Sequence, residues 1–219
     1  MQLEAFVQET PPQVLLAMSL RAVKAFGIYS YTMVKQERVR GTLLDAQVIQ
    51  VTTREMPFAV RLDFVGGPAT GRVVIYNSAV RSSEFRVREP GFLGFAGPIW
   101  LPVDSPLSKS DSNYTIDGAG LGKLVKKLQG EVALAGTMGG LTITNEGWNA
   151  DGQYCQLYVM PRSGKGFDAP TSRICLDLQA GVPARVESFL LTGELVGRFV
   201  FSDLKASPLT STSLDPAGL

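Results

Sequence analysis

The stretch IYSYTMVKQERVRGTLLDAQVIQVTTREMPFAVRLDFV, residues 28–65, decides how this chain is built. It divides into three runs, 28–39, 42–53 and 58–65, with Arg40-Gly41 at the first junction and Met56-Pro57 at the second. A two-residue turn at Arg40-Gly41 predicts a hairpin in which Met33 faces Val48, Tyr31 faces Gln50 and Glu37 faces Leu44. One side of that ribbon then carries Tyr29, Tyr31, Met33, Leu44, Ala46 and Val48. The third run alternates, with Phe58, Val60, Leu62 and Phe64 on one side and Arg61 and Asp63 on the other. Period two with one apolar side predicts a half-buried antiparallel sheet.

Composition narrows the function classes. The 219 residues are 45% apolar, enough for a sizeable core in one large β-rich domain. Twenty-one Lys and Arg against 20 Asp and Glu leave a net charge of +1, which argues against a dedicated nucleic-acid binder. The chain has no histidine, which removes Ser-His-Asp and Cys-His catalysis, histidine metal sites and an imidazole pH switch. Two cysteines cannot make a zinc site unaided. No apolar run approaches the ~20 residues that cross a bilayer. The opening Gln2-Leu3-Glu4-Ala5 shows neither the basic start nor the long apolar core of a leader peptide. That is consistent with a cytoplasmic protein or with an exported one whose leader precedes this sequence.

Outward from the opening ribbon, residues 1–10 read as a lead-in. Thr10 with Pro11-Pro12 then starts a helix that Gly27 stops. Its apolar positions, Val14, Leu15, Met18, Ala22, Val23 and Phe26, predict a core helix, with a partner- or lipid-contacting lid as the alternative. Strands are expected at 72–77 and 84–88, followed by an irregular apolar loop at 90–106 that contains Trp100. A second helix over 118–135 presents Leu121, Leu124, Val125, Leu128 and Val132 on one stripe. Lys123, Lys126, Lys127 and Glu131 face away from it. Gly118-Ala119-Gly120-Leu121-Gly122-Lys123 is not a phosphate loop, since Asp117 and Leu124 stand where that motif needs Gly and Ser or Thr. Strands follow at 141–144, 153–160, 173–178, 185–191 and 198–202, with a loop through Ser163-Gly164-Lys165-Gly166. A tail over 205–219 lies along the sheet edge or stays mobile. The order is that of an α+β meander with helices on one face of an antiparallel sheet.

Turning a hairpin about Lys165 sets Cys155 opposite Cys175, Tyr154 opposite Leu176 and Gln156 opposite Ile174. Directly opposed cysteines are close enough to bridge, and the disulfide favours an oxidising compartment; the alternative is two buried thiols. The sulfurs then lie on the side away from Tyr154, Tyr158, Ile174, Leu176 and Leu178.

Tyr31-x5-Glu37-Arg38-x2-Gly41-x-Leu43, Arg54-x2-Pro57-Phe58-x-Val60-x-Leu62 and Gly120-Leu121-Gly122-Lys123-Leu124 resemble a domain-of-unknown-function family of bacterial envelope proteins. Val182-Pro183-Ala184-Arg185-Val186-Glu187 is similar to that family's return strand. Phe201-Ser202-Asp203-Leu204 through Leu209 and Leu214-Asp215-Pro216 are similar to its ending. The family is in turn similar to the lipoprotein carriers LolA and LolB, although the best-known arginine motif of LolA has no match in this chain. The resemblance implies a strongly curved antiparallel sheet, an incomplete β-barrel with helices covering its concave face, and a hollow that holds acyl chains. It implies no catalytic residue.

The expected function is therefore a periplasmic carrier or binding protein for lipid or lipoprotein acyl chains, with no cofactor, no metal and no nucleic-acid partner. Its lining would come from Tyr29, Tyr31, Met33, Val48, Val60, Leu62, Phe64, Tyr76, Phe85 and Trp100. Two further readings stand beside it. One is a non-transporting module that binds a protein, such as an envelope membrane protein, in sensing or assembly. The other is a carboxylate hydrolase drawing on Glu37, Asp45, Asp63 or Asp104, none of which forms a pair with diagnostic spacing.

Overall fold

The structure is a computed structural model that describes residues 2–161, 166–207 and 211–219. Lys165, Leu209 and most of the loop expected through Ser163-Gly164-Lys165 lie outside the described residues. Three helices, α1 (Gln2–Glu9), α2 (Pro12–Ala25) and α3 (Leu121–Met138), accompany twelve strands among the described residues. The strands before α3 are β1 (Ile28–Val39), β2 (Thr42–Leu43), β3 (Gln47–Arg54), β4 (Ala59–Gly66), β5 (Val73–Asn77), β6 (Glu84–Arg88) and β7 (Ile99–Pro102). Those after it are β8 (Thr142–Trp148), β9 (Tyr154–Val159), β10 (Thr171–Asp177), β11 (Val182–Phe189) and β12 (Leu195–Ala206). Their hydrogen-bonded order is β7-β6-β5-β4-β3-β1-β12-β11-β10-β9-β8, with β2 paired to β1. That order has two ends, so the sheet is open and no barrel closes.

The chain forms two compact units. One is built from the chain up to Ala25 together with Leu121–Val200, the other from Phe26–Gly120 and Phe201–Leu219. No described helix is long and apolar enough to cross a membrane.

In the first unit α2 packs on α3 and on β11. The lead-in is a helix in its own right, ended where Thr10 N and Oγ1 both donate to the Phe6 carbonyl. Val7, Leu15 and Tyr154 form a core cluster against which Leu178 packs. The β9–β10 ladder sets Cys175 opposite Cys155, Leu176 opposite Tyr154 and Ile174 opposite Gln156, the register expected from the sequence. The cysteines are bonded, with Cα atoms 4.0 Å apart. Two helix expectations change. Glu131 is buried rather than facing out, because Lys127 bridges it to Asp168. Val14 and Met18 are exposed, so the buried stripe of α2 is Leu15, Leu16, Ser19 and Val23.

In the second unit the first hairpin begins as expected: Arg38 pairs with Leu43, and Leu44 N donates to the Glu37 carbonyl. Residues 44–46 then leave the ladder, and β1 resumes with β3 shifted by one residue. Tyr31 therefore faces Val51, not Gln50, and Met33 faces Ile49, not Val48. A one-residue shift exchanges the two faces of a strand. Ile49 is 1% exposed, while Val48 pairs with Val34 on the other face. The 90–106 segment holds a strand, β7, that its Gly and Pro content concealed. The tail supplies two short 3-10 turns, Ser211–Leu214 and Pro216–Gly218. Leu214 is fully buried, and its carbonyl accepts from Asn77 Nδ2.

Two outcomes follow. Ile49→Asp, which forces a charge into the core, is expected to lower stability by more than about 3 kcal/mol in urea unfolding, and Val48→Lys by less than about 1 kcal/mol. Replacing both cysteines with alanine is expected to cost about 3 kcal/mol, and the untreated protein should show no thiol reactive to Ellman's reagent after denaturation.

Candidate functional site

The register of the second unit assembles one continuous face. Tyr29, Tyr31 and Met33 on β1 oppose Thr53, Val51 and Ile49 on β3, which oppose Val60, Leu62 and Phe64 on β4. Val60 and Leu62 oppose Tyr76 and Val74 on β5, and Val74 opposes Val87, which shares its face of β6 with Phe85. Eight of the ten expected lining residues thus meet on one side: Tyr29, Tyr31, Met33, Val60, Leu62, Phe64, Tyr76 and Phe85. Val48 does not, for the reason given above. Trp100 pairs with Arg86 on the opposite side, where the Arg81 and Arg86 guanidiniums lie 4.2 and 5.8 Å from its ring.

The face is aromatic at one end. Tyr29 stacks on Tyr31 at 5.9 Å, Tyr31 meets Phe201 edge-on at 5.8 Å, and Phe58 lies 6.0 Å from Tyr76. Tyr29 donates to Glu55 Oε1 at 2.6 Å. Burial pushes the Tyr31 phenol well above its ordinary pKa, so it stays neutral and its ring serves as apolar surface. Burial, with Asp117 nearby, raises Tyr76 as well. Gly120 sits over this end with φ +97°, where a Cβ would come within 3.2 Å of Thr53 Cγ2. Met33 and Leu62 remain half-buried while their neighbours are closed off, so they offer the accessible apolar surface of the face.

The other end of the same face is polar. Lys35, Glu37 and Gln47 are all buried there. Lys35 Nζ reaches Glu37 at 3.2 Å and the Asp111 carbonyl at 3.0 Å. Glu37 accepts from Ser112 Oγ and the Asn113 amide. Arg72 pairs with Asp111 and Glu89 while lying 5.4 Å from the Phe64 ring. These bonds tie the 111–113 segment across the strand ends. Asp63, a considered catalytic carboxylate, lies on the opposite face, paired with Arg61. Asp45 and Asp104 are exposed. Glu37, with its hydrogen bonds filled, does the work of a structural anchor. No three His, Cys, Asp or Glu side chains gather among the described residues as a metal would require.

The first unit carries a feature that sequence reasoning did not assemble. A shallow depression of about 280 Å³ is lined by the disulfide with Glu146, Trp148, Arg173, Arg185 and Glu187 among its walls. Arg173 grips Glu146 through two nitrogens and also reaches Glu187, which accepts from Arg198 at 2.6 Å. A bulge at Glu146, followed by Gly147 at φ +81°, aims that carboxylate at Arg173. The signal in the sequence is cross-strand: Arg173 faces Glu187, and Glu187 faces Arg198. Burial pushes the Glu187 carboxyl up, but its hydrogen bonds from Arg198 and Arg173 outweigh that and hold it below its ordinary pKa.

A family model described as a protein of unknown function (DUF1571) matches residues 27–218. No curated protein matches the chain. Solved structures do resemble it. The Pseudomonas aeruginosa MucA/MucB complex aligns at 13% identity and TM-score 0.52, over 93% of this chain and 60% of that one. Mycobacterium tuberculosis lipoprotein LppX aligns at 15% identity and TM-score 0.50, over 91% of this chain and 99% of that one. A LolA superfamily protein from Nitrosomonas europaea aligns at 11% identity and TM-score 0.42, over 96% of this chain and 100% of that one.

Because its folded pKa is lowered, Glu187 contributes stability that is complete above the unfolded carboxylate pKa and disappears as pH falls through the folded value. Its partners are partly exposed, so Glu187→Gln is expected to cost only about 1–2 kcal/mol at pH 7. The gap to the parent protein in urea unfolding should close as the pH falls below the ordinary carboxylate value of 4.5.

Proposed function

The chain belongs to the DUF1571 family, whose description assigns no function, and from the geometry we propose that it is a non-enzymatic binding protein or carrier for hydrophobic ligands, lipid or lipoprotein acyl chains, working in the periplasm. The observation that carries this reading is the shared face of the second unit. Its register gathers eight apolar and aromatic side chains from β1, β4, β5 and β6, and leaves Met33 and Leu62 accessible among them. An alkyl chain laid on such a surface gains about 0.8 kcal/mol for each methylene removed from water, so ten methylenes outweigh moderate binding costs. The polar end, with Lys35 and Arg72 amid three carboxylates, gives a ligand's polar terminus a place to stop. The disulfide supports an oxidising compartment. The likeness in fold to a lipoprotein, LppX, is compatible with that setting.

A second reading, a protein-binding module, is favoured by the likeness to MucB, which was solved bound to MucA. In that case the same face is filled by the protein's own side chains and the partner binds elsewhere.

Native mass spectrometry separates the two. Co-purifying lipid, or uptake of a fluorescent fatty acid that Leu62→Glu and Met33→Lys each weaken about tenfold or more, is the carrier result. A clean apo spectrum with no uptake selects the protein-binding module.

A further inference from the structure

α2 and α3 carry five basic residues, Arg21, Lys24, Lys123, Lys126 and Lys127, and one acid, Glu131. Glu131 is buried and paired with Lys127, whereas Arg21, Lys24, Lys123 and Lys126 are exposed. The whole chain has a net charge of only +1, so this helix pair is a local concentration of positive charge.

The apolar side chains that the helices leave outside are also concentrated. Leu3, Phe6, Val14, Met18, Leu134 and Met138 are each between 38% and 51% exposed. A Cβ placed on Gly136 would lie 3.6 Å from Gln13 Nε2, which puts the start of α2 beside the end of α3. Val14, next to Gln13, and Met18, one turn on, therefore belong to the same end of the helix pair as Leu134 and Met138, which flank Gly136. α1, bearing Leu3 and Phe6, leads into that same end through Thr10 and Pro11. Arg21 and Lys24 stand late in α2 and Lys123 and Lys126 early in α3, each at the end of its helix away from that contact. The helices thus carry an apolar end, where Gln13 meets Gly136, and basic ends away from it. Trp148, 47% exposed, lies next to α1, with its indole Nε1 3.4 Å from Glu4.

A core helix hides its apolar residues, and a helix that only solubilises the fold does not carry them. Surface helices with exposed Phe, Leu and Met beside a cluster of Lys and Arg have the chemistry of segments that lie in a lipid–water interface. α1 adds two acids, half-buried Glu4 and exposed Glu9, but the four exposed cations of α2 and α3 outnumber them, and that excess selects a negatively charged surface. We propose that α1, α2 and α3 form a docking face for an anionic lipid bilayer, the apolar end entering the acyl boundary and the basic ends meeting the headgroups. This extends the carrier reading, because a lipid carrier must load or unload at a membrane. It does not depend on it, because the face is complete in a protein with no cargo.

The test is co-sedimentation of the full chain with lipid vesicles. Partition should be at least about tenfold stronger into phosphatidylcholine vesicles containing about 30 mol% phosphatidylglycerol than into phosphatidylcholine alone, and should fall between about 0.1 and 0.5 M salt. The double variant Arg21→Glu/Lys126→Glu should lose the anionic preference. The double variant Phe6→Ser/Met138→Ser should weaken binding to both vesicle types. All four positions are surface sites, and unchanged circular dichroism and melting would show that the variants remain folded. No vesicle binding by the parent chain, equal binding to both vesicle types, or double variants that bind like the parent would each overturn the proposal. The lipid content of the same preparation, read by native mass spectrometry, reports the carrier reading separately, so either can fail alone.

Discussion

Every face in the second unit depends on where its ladders slip. A strand offers two sides, and the residue count between turn and ladder decides which side each side chain joins. In the first hairpin the count set by Arg40-Gly41 holds as far as Glu37 and Leu44, and is then displaced by one when residues 44–46 leave the pairing. A second irregularity, between Val48 and Ile49 in the pairing with β4, leaves Val65 unpaired and 51% exposed. The first slip brings Ile49 and Val51 round to the side of Tyr31 and Met33, with Leu62 and Phe64 opposite them on β4, and sends Val48 to the other side.

Two signals in the sequence conflict at this slip. Ile49 shares one side of β3 with Val51 while Val48 shares the other with Gln50, so alternation favours the observed register, whereas the turn count from Arg40-Gly41 favours the other and nothing about Asp45 marks it as leaving the ladder. In the cysteine hairpin no such conflict arises. Its two strands alternate clearly, and only one register aligns Cys155 with Cys175 while keeping Tyr154 beside Leu176. Trp100 was misread because β7 sits among prolines and glycines, where period two is too short to be seen. Arg81 and Arg86, which cover its ring, come from a different strand and turn.

Charge was the least legible layer. Arg173, Glu187 and Arg198 are far apart in sequence and become a row only after β10, β11 and β12 are in register. Glu131 lies at the margin of the α3 stripe, next to Leu128 and Ala135 on the helix surface. Its burial depends on Lys127 turning toward it and on Asp168, which comes from a distant loop. A helical wheel contains the first fact and not the second. The same limit applies to the buried trio Lys35, Glu37 and Gln47: alternation along β1 puts Lys35 and Glu37 on the face of Tyr31 and the observed β1–β3 register adds Gln47, but only the 111–113 segment supplies the partners that such burial needs.

Helix periodicity has its own ambiguity, and it bears on how the two apolar surfaces differ. Val14, Leu15, Met18 and Val23 are equally apolar, so a sequence can say that α2 avoids water without saying what it meets. The fold buries Leu15 and Val23 and leaves Val14 and Met18 outside. Burial of the first pair is repaid by the core of the first unit. Exposure of the second pair is offset by nothing among the described residues, and it recurs on α1 and α3. The sheet face of the second unit differs: most of its apolar side chains are already covered, and only Met33 and Leu62 keep appreciable access. A surface for a large partner should be broad and outward, while a surface for a single alkyl chain should be narrow and sheltered. The helices have the first character and the β1–β4 face has the second.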